Sequence, residues 1–230
     1  MNPETGMSVR RSLIPLAFVL FAVRCSESNA PKPTADRPLH FLRWVGGSSP
    51  QFTAVGAAAD QPTVSGGTPG LTASLALSLD QYTATFWAVR GQPRSLQINY
   101  VSAGDTSHPF LRLTASDPVF APGVGDLAVG DSVQITVTVD AESLKVTLEP
   151  TGLVFGSPAQ LQVWYGGAGG DLNGDGVADS TDAYIEHQLL GLWYRELLPD
   201  PWTPVTAVQS LADKLFTSEL QHFCEYALSW

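Results

Sequence analysis

Residues 171–182 read DLNGDGVADSTD and put oxygen-bearing side chains at the first, third, fifth, ninth and twelfth positions: Asp171, Asn173, Asp175, Asp179 and Asp182. A hard divalent cation is held by a shell of oxygens, and this spacing lets a short loop wrap one. Asp171, Asn173 and Asp175 would give side-chain oxygens and Val177 its backbone carbonyl. Asp179 would bind directly or through water, and Asp182 would close the shell. Gly176 falls at the sixth position, where the chain must turn sharply and a Cβ would obstruct it. Four carboxylates so close together repel one another unless positive charge offsets them. Asn-Gly and Asp-Gly are also ordinary turn pairs, but a solvated turn has no reason to fill every ligand position. Calcium is the expected cofactor.

Other chemistry is scarce. His40, His108, His187 and His222 are scattered, and no H-E-x-x-H pattern holds a zinc. No G-x-S-x-G elbow, phosphate-binding loop or dinucleotide fingerprint occurs. Gly130, Asp131 and Ser132 read as a turn feeding a strand. No catalytic residue is expected. Trp87, Trp164, Trp193 and Trp202 would line a sugar-binding face only if they align on one exposed sheet surface; otherwise they pack at the core and its edges.

The segment DLNGDGVADSTDAYIEHQLL, residues 171–190, resembles one repeat of a bacterial dockerin, a variant of the EF-hand loop. That family shares the spacing, uses Asp at the last ligand position and has no helix entering the loop. Residues 166–170 fit this, since four of the five are glycine and will not form a helix. The resemblance implies calcium binding. Dockerins carry two repeats, and this chain has one.

The elements that must position the loop come from an all-β composition. The chain has 230 residues, 44% hydrophobic and 15% charged, enough to bury a core and too apolar for disorder throughout. A net charge of −10 excludes nucleic acid as a partner, because phosphates require a basic surface. Arg10 and Arg11 precede an apolar run at residues 13–23, the layout of a secretory signal peptide over residues 1–25. The run is too short to serve as a permanent membrane span. Cys25 follows it directly, and the region resembles a bacterial lipoprotein signal, in which the cysteine is lipidated. Cleavage near Ser28 or Ala30 would instead release a soluble protein. A Cys25–Cys224 disulfide is permitted outside the cytoplasm only if Cys25 survives processing.

Residues 26–70 read as a flexible linker with a first strand at 39–45, where Phe41, Arg43 and Val45 face one way and His40, Leu42 and Trp44 the other. Short strands then follow through residues 71–230. Leu75, Leu77 and Leu79 alternate, and residues 82–89 are apolar on both faces, as a central strand would be. Leu96, Ile98 and Tyr100 form another strand, and Leu111 with Leu113 a further one. Val133, Ile135, Val137 and Val139 give the clearest alternation, and Leu144, Val146 and Leu148 make its hairpin partner. Leu161, Val163 and Tyr165 lead into the calcium loop. Ile185, Leu189, Leu192 and Trp193 predict an exit helix ending at Gly191, so the loop–helix unit spans 171–193. Val208, Leu211 and Leu215 suit a helix, while residues 214–220 suit a strand equally. Cys224, Tyr226, Leu228 and Trp230 predict a closing strand ending on a buried tryptophan.

Two segments, LEPTGLVF at 148–155 and HFCEYALSW at 222–230, together resemble β-domains of bacterial surface proteins related to the zonula occludens, uncoordinated and ankyrin type of sandwich. Thr151 and Cys224 stand where that family usually has serine. The resemblance covers roughly residues 130–230 and implies a β-sandwich with scaffold or interaction roles. The expected architecture is thus all-β, an antiparallel β-sandwich with one short calcium loop–helix insertion near the C-terminus. The expected function is a secreted or cell-surface calcium-binding domain with a structural or interaction role and no catalysis. A carbohydrate-binding module is the second class, and a divergent extracellular hydrolase the third. The partner would be an unidentified protein or polysaccharide at the cell surface, with membrane contact only through a lipid on Cys25. N-terminal sequencing of protein from its native host tests the export reading. A mature start beyond residue 24 is expected, and a retained Met1 or Met7 counts against it.

Overall fold

A computed structural model describes residues 38–47, 50–56, 81–102 and 104–230. The leader with Cys25, the linker to residue 37 and the strand expected at residues 71–79 lie outside the described residues. In chain order the strands are β1 (Gln51–Gly56), β2 (Gln81–Val89), β3 (Arg94–Val101), β4 (Ser107–Ala115), β5 (Asp117–Ala121), β6 (Gly125–Asp126) and β7 (Ser132–Asp140). They continue as β8 (Lys145–Glu149), β9 (Val154–Trp164), β10 (Gly191–Arg195), β11 (Thr203–Pro204), β12 (Ala207–Ser210), β13 (Leu215–His222) and β14 (Glu225–Ser229). One sheet runs β1-β3-β4-β9-β13-β12, with β5 also paired to β9 and carrying β6. The other runs β11-β10-β14-β8-β7-β2. The described strands pair antiparallel throughout, and the two inner faces close over one hydrophobic core. This is the expected β-sandwich.

The β7–β8 hairpin shows how the sequence sets the register. Ile135, Val137 and Val139 on β7 and Val146 and Leu148 on β8 are buried, and Val137 pairs with Leu148 and Val139 with Val146. Slipping by one residue would turn the whole set outward. Asp140 fixes the connection. Its Oδ1 accepts the N–H groups of Glu142 at 2.9 Å and Ser143 at 2.8 Å, and the Ser143 hydroxyl at 2.8 Å. Burial pushes the Asp140 carboxyl up, but these donors and Lys145 Nζ outweigh it and hold it below its ordinary value.

Strict alternation fails on β4. Ile98 pairs with Leu111 and Asn99 with Pro109, so Phe110 is the extra residue of a β-bulge. Both Phe110 and Leu111 are therefore buried. Among the described strands β2 lies at the margin of its sheet rather than at the centre. Its apolar run arises because Phe86 packs on the core while Trp87 faces outward, 46% exposed. The segment that suited helix or strand equally is two strands, β12 and β13, which pair with each other.

The expected first strand is a narrow insert. Phe41 bridges Ser229 and Arg43 bridges Ser143. The Leu42 N–H donates to the Leu228 carbonyl at 3.0 Å, and the Leu144 N–H donates to the Leu42 carbonyl at 2.8 Å. Residues 40–44 thus enter where β14 and β8 diverge. Leu42 and Trp44 are buried and Arg43 is exposed, as the alternation requires. Trp230 is half-buried rather than buried, and its ring stacks on His40 at 4.5 Å.

The two motif segments meet. The Leu148 N–H donates to Cys224 O at 3.0 Å and the Gly152 N–H to Phe223 O at 3.2 Å. Between them the Leu153 N–H closes a turn onto Pro150 O at 3.1 Å, with Gly152 at φ 80°, which favours glycine. Phe155 packs on Phe223 at 5.0 Å, and the Tyr226 hydroxyl donates to His222 O at 3.0 Å. Their residues hold the sandwich together at this end. Replacing the fully buried Ile135 with Ala should cost about 2–5 kcal/mol in denaturant unfolding, through lost burial and a cavity. A change below about 0.5 kcal/mol would contradict the assigned core.

Candidate metal centre

The candidate loop hangs between the end of β9 and the start of β10. Tyr165 follows β9, and a single 3-10 turn at Gly166–Ala168 leads into Gly169 and Gly170. At Gly167 the lack of a side chain is a packing requirement. A Cβ on Gly167 would lie 2.5 Å from Cζ3 of Trp44, so the indole occupies the space above that glycine. Trp44 is itself pinned, its Nε1 donating to Asp140 O at 3.2 Å and its ring meeting Phe110 at 4.8 Å and Phe52 at 5.2 Å.

Within the loop the acidic side chains organise the backbone. The Asp171 Oδ1 accepts from the N–H groups of Gly174 at 2.8 Å and Asp175 at 3.1 Å, and its Oδ2 from Gly176 at 2.8 Å. Asn173 Oδ1 accepts from the Asp175 N–H at 2.9 Å, and Asp175 Oδ1 from the Val177 N–H at 2.9 Å. Gly174 and Gly176 stand at φ 78° and 93°, where a side chain would be strained. Asp182 is the deepest of the set at 4% exposure. Its Oδ1 accepts from Leu172 at 2.7 Å and Asn173 at 3.1 Å, and its Oδ2 from Asp179 at 2.9 Å, so one carboxylate joins the loop's entry and exit. The Asp179 N–H first, then those of Asn173 and Leu172, hold this carboxyl below its ordinary value against the opposing effect of desolvation.

Asp179 also caps the exit helix α1 (Ser180–Tyr184), its Oδ1 accepting from the Thr181 N–H at 2.7 Å in a reciprocal box with Asp182. The helix then widens into a π-type turn at Ile185–Leu189. It ends earlier than its apolar spacing suggests. Leu190 is already extended, and Leu192 and Trp193 belong to β10, where residues 191–195 pair with β14. Gly191 begins that strand instead of ending the helix. A five-pair ladder against β14 replaces helix that glycine would have weakened.

A polar cluster not foreseen in the sequence fastens the exit turn to the sheet. Gln209 Nε2 donates to Tyr165 Oη at 3.1 Å and to Glu186 O at 3.0 Å, and Lys214 Nζ pairs with Glu186 Oε1 at 2.9 Å. Burial, with the Glu186 carboxylate adding to it against the Gln209 donor, pushes the Tyr165 hydroxyl up to about 12. They come from three separate stretches, Gln209 and Lys214 sharing one hairpin, and no local spacing announces them.

All six candidate ligands, Asp171, Asn173, Asp175, Val177, Asp179 and Asp182, lie on this one loop. Asp175, Val177 and Asp179 are exposed, while Asp171 and Asn173 are half-buried. Among the described residues no three or more His, Cys, Asp or Glu side chains stand together as a metal-binding group. The carboxylates instead spend lone pairs on backbone N–H groups, and two of the six candidates are an amide and a main-chain carbonyl. The donor set is all oxygen and the turn glycines are in place, which fits a hard cation. Cys25 lies outside the described residues, and Cys224 is buried in the core.

The histidines do not converge. His40 stacks on Trp230, His108 on Tyr100 at 5.3 Å, His222 meets the Tyr194 ring edge-on at 6.3 Å, and His187 is exposed beyond α1. Asp131, in the turn before β7, accepts the Ala128 N–H at 2.8 Å through Oδ2. Among the described residues no helix is long and apolar enough to cross a membrane. No protein-family model, curated protein or solved structure matches the chain.

Gly167→Ala should lower the melting temperature and move Trp44 emission towards that of a wetter indole, because its Cβ cannot coexist with the ring. The expected cost is about 1–3 kcal/mol, as for overpacking. Gly56→Ala, which meets nothing within 4 Å, serves as the control. Equal stability of the two variants would overturn the assigned contact.

Proposed function

We propose that the chain is a secreted or cell-surface β-domain that binds calcium at residues 171–182 and has a structural or interaction role without catalysis. The observation that carries this reading is the Asp182 carboxylate, which takes N–H groups from both ends of an all-oxygen loop. Asp171, Asn173, Asp175, Asp179 and Asp182 would hold the ion with side chains, and Val177 with its carbonyl. Bound calcium supplies the positive charge that offsets four neighbouring carboxylates. The chain's own part is to keep the loop closed. Asp171 curls the first half around its carboxylate, Asp182 ties the ends, and Asp179 starts α1. Through Glu186, Lys214 and Gln209 the exit turn is fastened to Tyr165 and the β12–β13 hairpin, so loop order is order of the sandwich edge. The likeness to a dockerin repeat, and the apolar leader with Cys25, support an extracytoplasmic setting. The scattered histidines support a non-catalytic role.

Calorimetry with calcium and with chelator tests the metal. Calcium should raise the melting temperature, because folded chain presents the ligands assembled; the gain is roughly 2.7 kcal/mol at 100 times Kd. Magnesium should substitute poorly, since it sheds water reluctantly. Asp171→Ala should remove the calcium response. Asp182→Ala should remove it too, and should also lower the melting temperature in chelator by leaving three N–H donors without an acceptor. An unchanged melting temperature together with no heat on calcium titration would falsify the proposal.

A further inference from the structure

The loop at 171–182 also holds the chain's only asparagine–glycine pair, Asn173-Gly174, and its only aspartate–glycine pair, Asp175-Gly176. Such pairs carry a reactivity of their own. Glycine has no side chain to shield its backbone nitrogen, so that nitrogen can reach the γ-carbon of the preceding side chain and close a five-membered succinimide. At Asn173 the Gly174 nitrogen gives up its proton and bonds to Cγ. The Cγ–Nδ2 bond breaks, and the amide leaves as ammonia with a proton replacing the one given up. Water then opens the ring at either carbonyl, leaving aspartate or isoaspartate. Gly174 and Gly176 are both exposed, so water reaches them.

Both nitrogens are engaged by one side chain. The Gly174 N–H donates to Asp171 Oδ1 at 2.8 Å, and the Gly176 N–H to Asp171 Oδ2 at 2.8 Å. The Asn173 amide is meanwhile committed to Asp175. Its Oδ1 accepts the Asp175 N–H at 2.9 Å, and its Nδ2 donates to Asp175 Oδ2 at 3.0 Å. We propose that Asn173 is a latent deamidation site and that Asp171 is the positioning residue that keeps it closed. Asp171 opposes the reaction in two ways. Taking the proton from Gly174 sacrifices a hydrogen bond to a charged acceptor. The nitrogen anion left behind would then lie against that carboxylate, like charge on like charge. Asp182 provides the contrast. It ties the two ends of the loop through Leu172, Asn173 and Asp179, and neither glycine N–H is among its donors. Protection by Asp171 is therefore separable from loop order in general, and it needs no metal.

The test is incubation of the full chain in neutral buffer with chelator, below its melting temperature, followed by peptide mass mapping of the Asn173 amide and enzymatic methylation of isoaspartate. The same chain in urea gives the unprotected rate, and Asn99, followed by the bulky Tyr100, is the internal control. Folded wild type should lose the Asn173 amide about tenfold more slowly than the chain in urea, and Asp171→Ala should recover about that factor, the rate equivalent of one hydrogen bond to a charged group. Asp171→Asn, which keeps an acceptor oxygen and loses the charge, should fall between wild type and Asp171→Ala. Asp182→Ala should stay closer to wild type than Asp171→Ala does. Circular dichroism checks that each variant keeps the sandwich; should Asp171→Ala unfold, Asp171→Asn set against Asp182→Ala decides, with the former expected to be faster. Equal rates for folded wild type and the chain in urea, no acceleration in folded Asp171→Ala, or Asp182→Ala reacting as fast as the Asp171 variant would overturn the inference. With chelator present throughout, none of these outcomes depends on whether the loop binds calcium, and a failure here leaves that reading standing.

Discussion

The seating of Trp44 is the contact on which the rest of this edge depends. Its ring touches Phe52 and Phe110 from the eight-stranded sheet, while its Nε1 donates to a carbonyl of the six-stranded sheet at Asp140. Its backbone N–H reaches Glu142 O, so the β7–β8 turn holds it twice. Its outer edge roofs Gly167 at the approach to the acidic loop. One side chain therefore joins both sheets, the N-terminal insert and the loop. Removing a buried indole of this kind costs roughly 3–5 kcal/mol, a large part of the stability of an ordinary domain. Gly167 before the loop is accordingly a steric consequence of Trp44, within a run that is a poor helix former as a whole.

Local periodicity was a good guide wherever a strand has one wet face and one dry one. Residues 133–139 and 144–148 meet that condition, and their burial follows the alternation residue by residue. The guide failed where a second physical effect intervened. On β4 a bulge turns adjacent residues Phe110 and Leu111 the same way, and a period-two pattern has no place for that. On β2 a run apolar on both sides suggests a central strand, whereas an outward tryptophan on the last of the described strands writes the same letters. After the loop, Ile185, Leu189, Leu192 and Trp193 satisfy helical spacing, yet Leu192 and Trp193 gain more by pairing with β14. Pairing with a strand distant in sequence decided the last of these cases.

The candidate site divides in the same way. Its candidate ligands can be named from sequence because they fall within twelve consecutive positions, at a spacing that suits a cation. What braces them was not legible, since Tyr165, Glu186, Gln209 and Lys214 come from separate stretches and meet only in the fold. The segments at 148–155 and 222–230 are an intermediate case. Each has a recognisable motif, but their mutual contact, through Cys224 O, Phe223 O and the Phe155 ring, is visible only in three dimensions.

The loop's hydrogen bonds bear on how the proposed metal binding would be coupled to folding. A cluster of carboxylates with nothing between them would spring open, and like-charge repulsion would dominate the loop without a cation. Here the carboxylates of Asp171 and Asp182 each already accept three N–H groups, which offset part of that repulsion and fix the turn before any ion arrives. A carboxylate oxygen has lone-pair capacity beyond one or two such bonds, so the network and a cation need not exclude each other. The conformational cost of closing the loop is then borne largely by the chain itself. Binding energy from the ion would go into stability instead of into ordering. The turn at Ile185–Leu189 that follows α1 is tied through Glu186 to Gln209 and Lys214, and Gln209 to Tyr165, so whatever tightens residues 171–182 also tightens the junction of β9, β12 and β13.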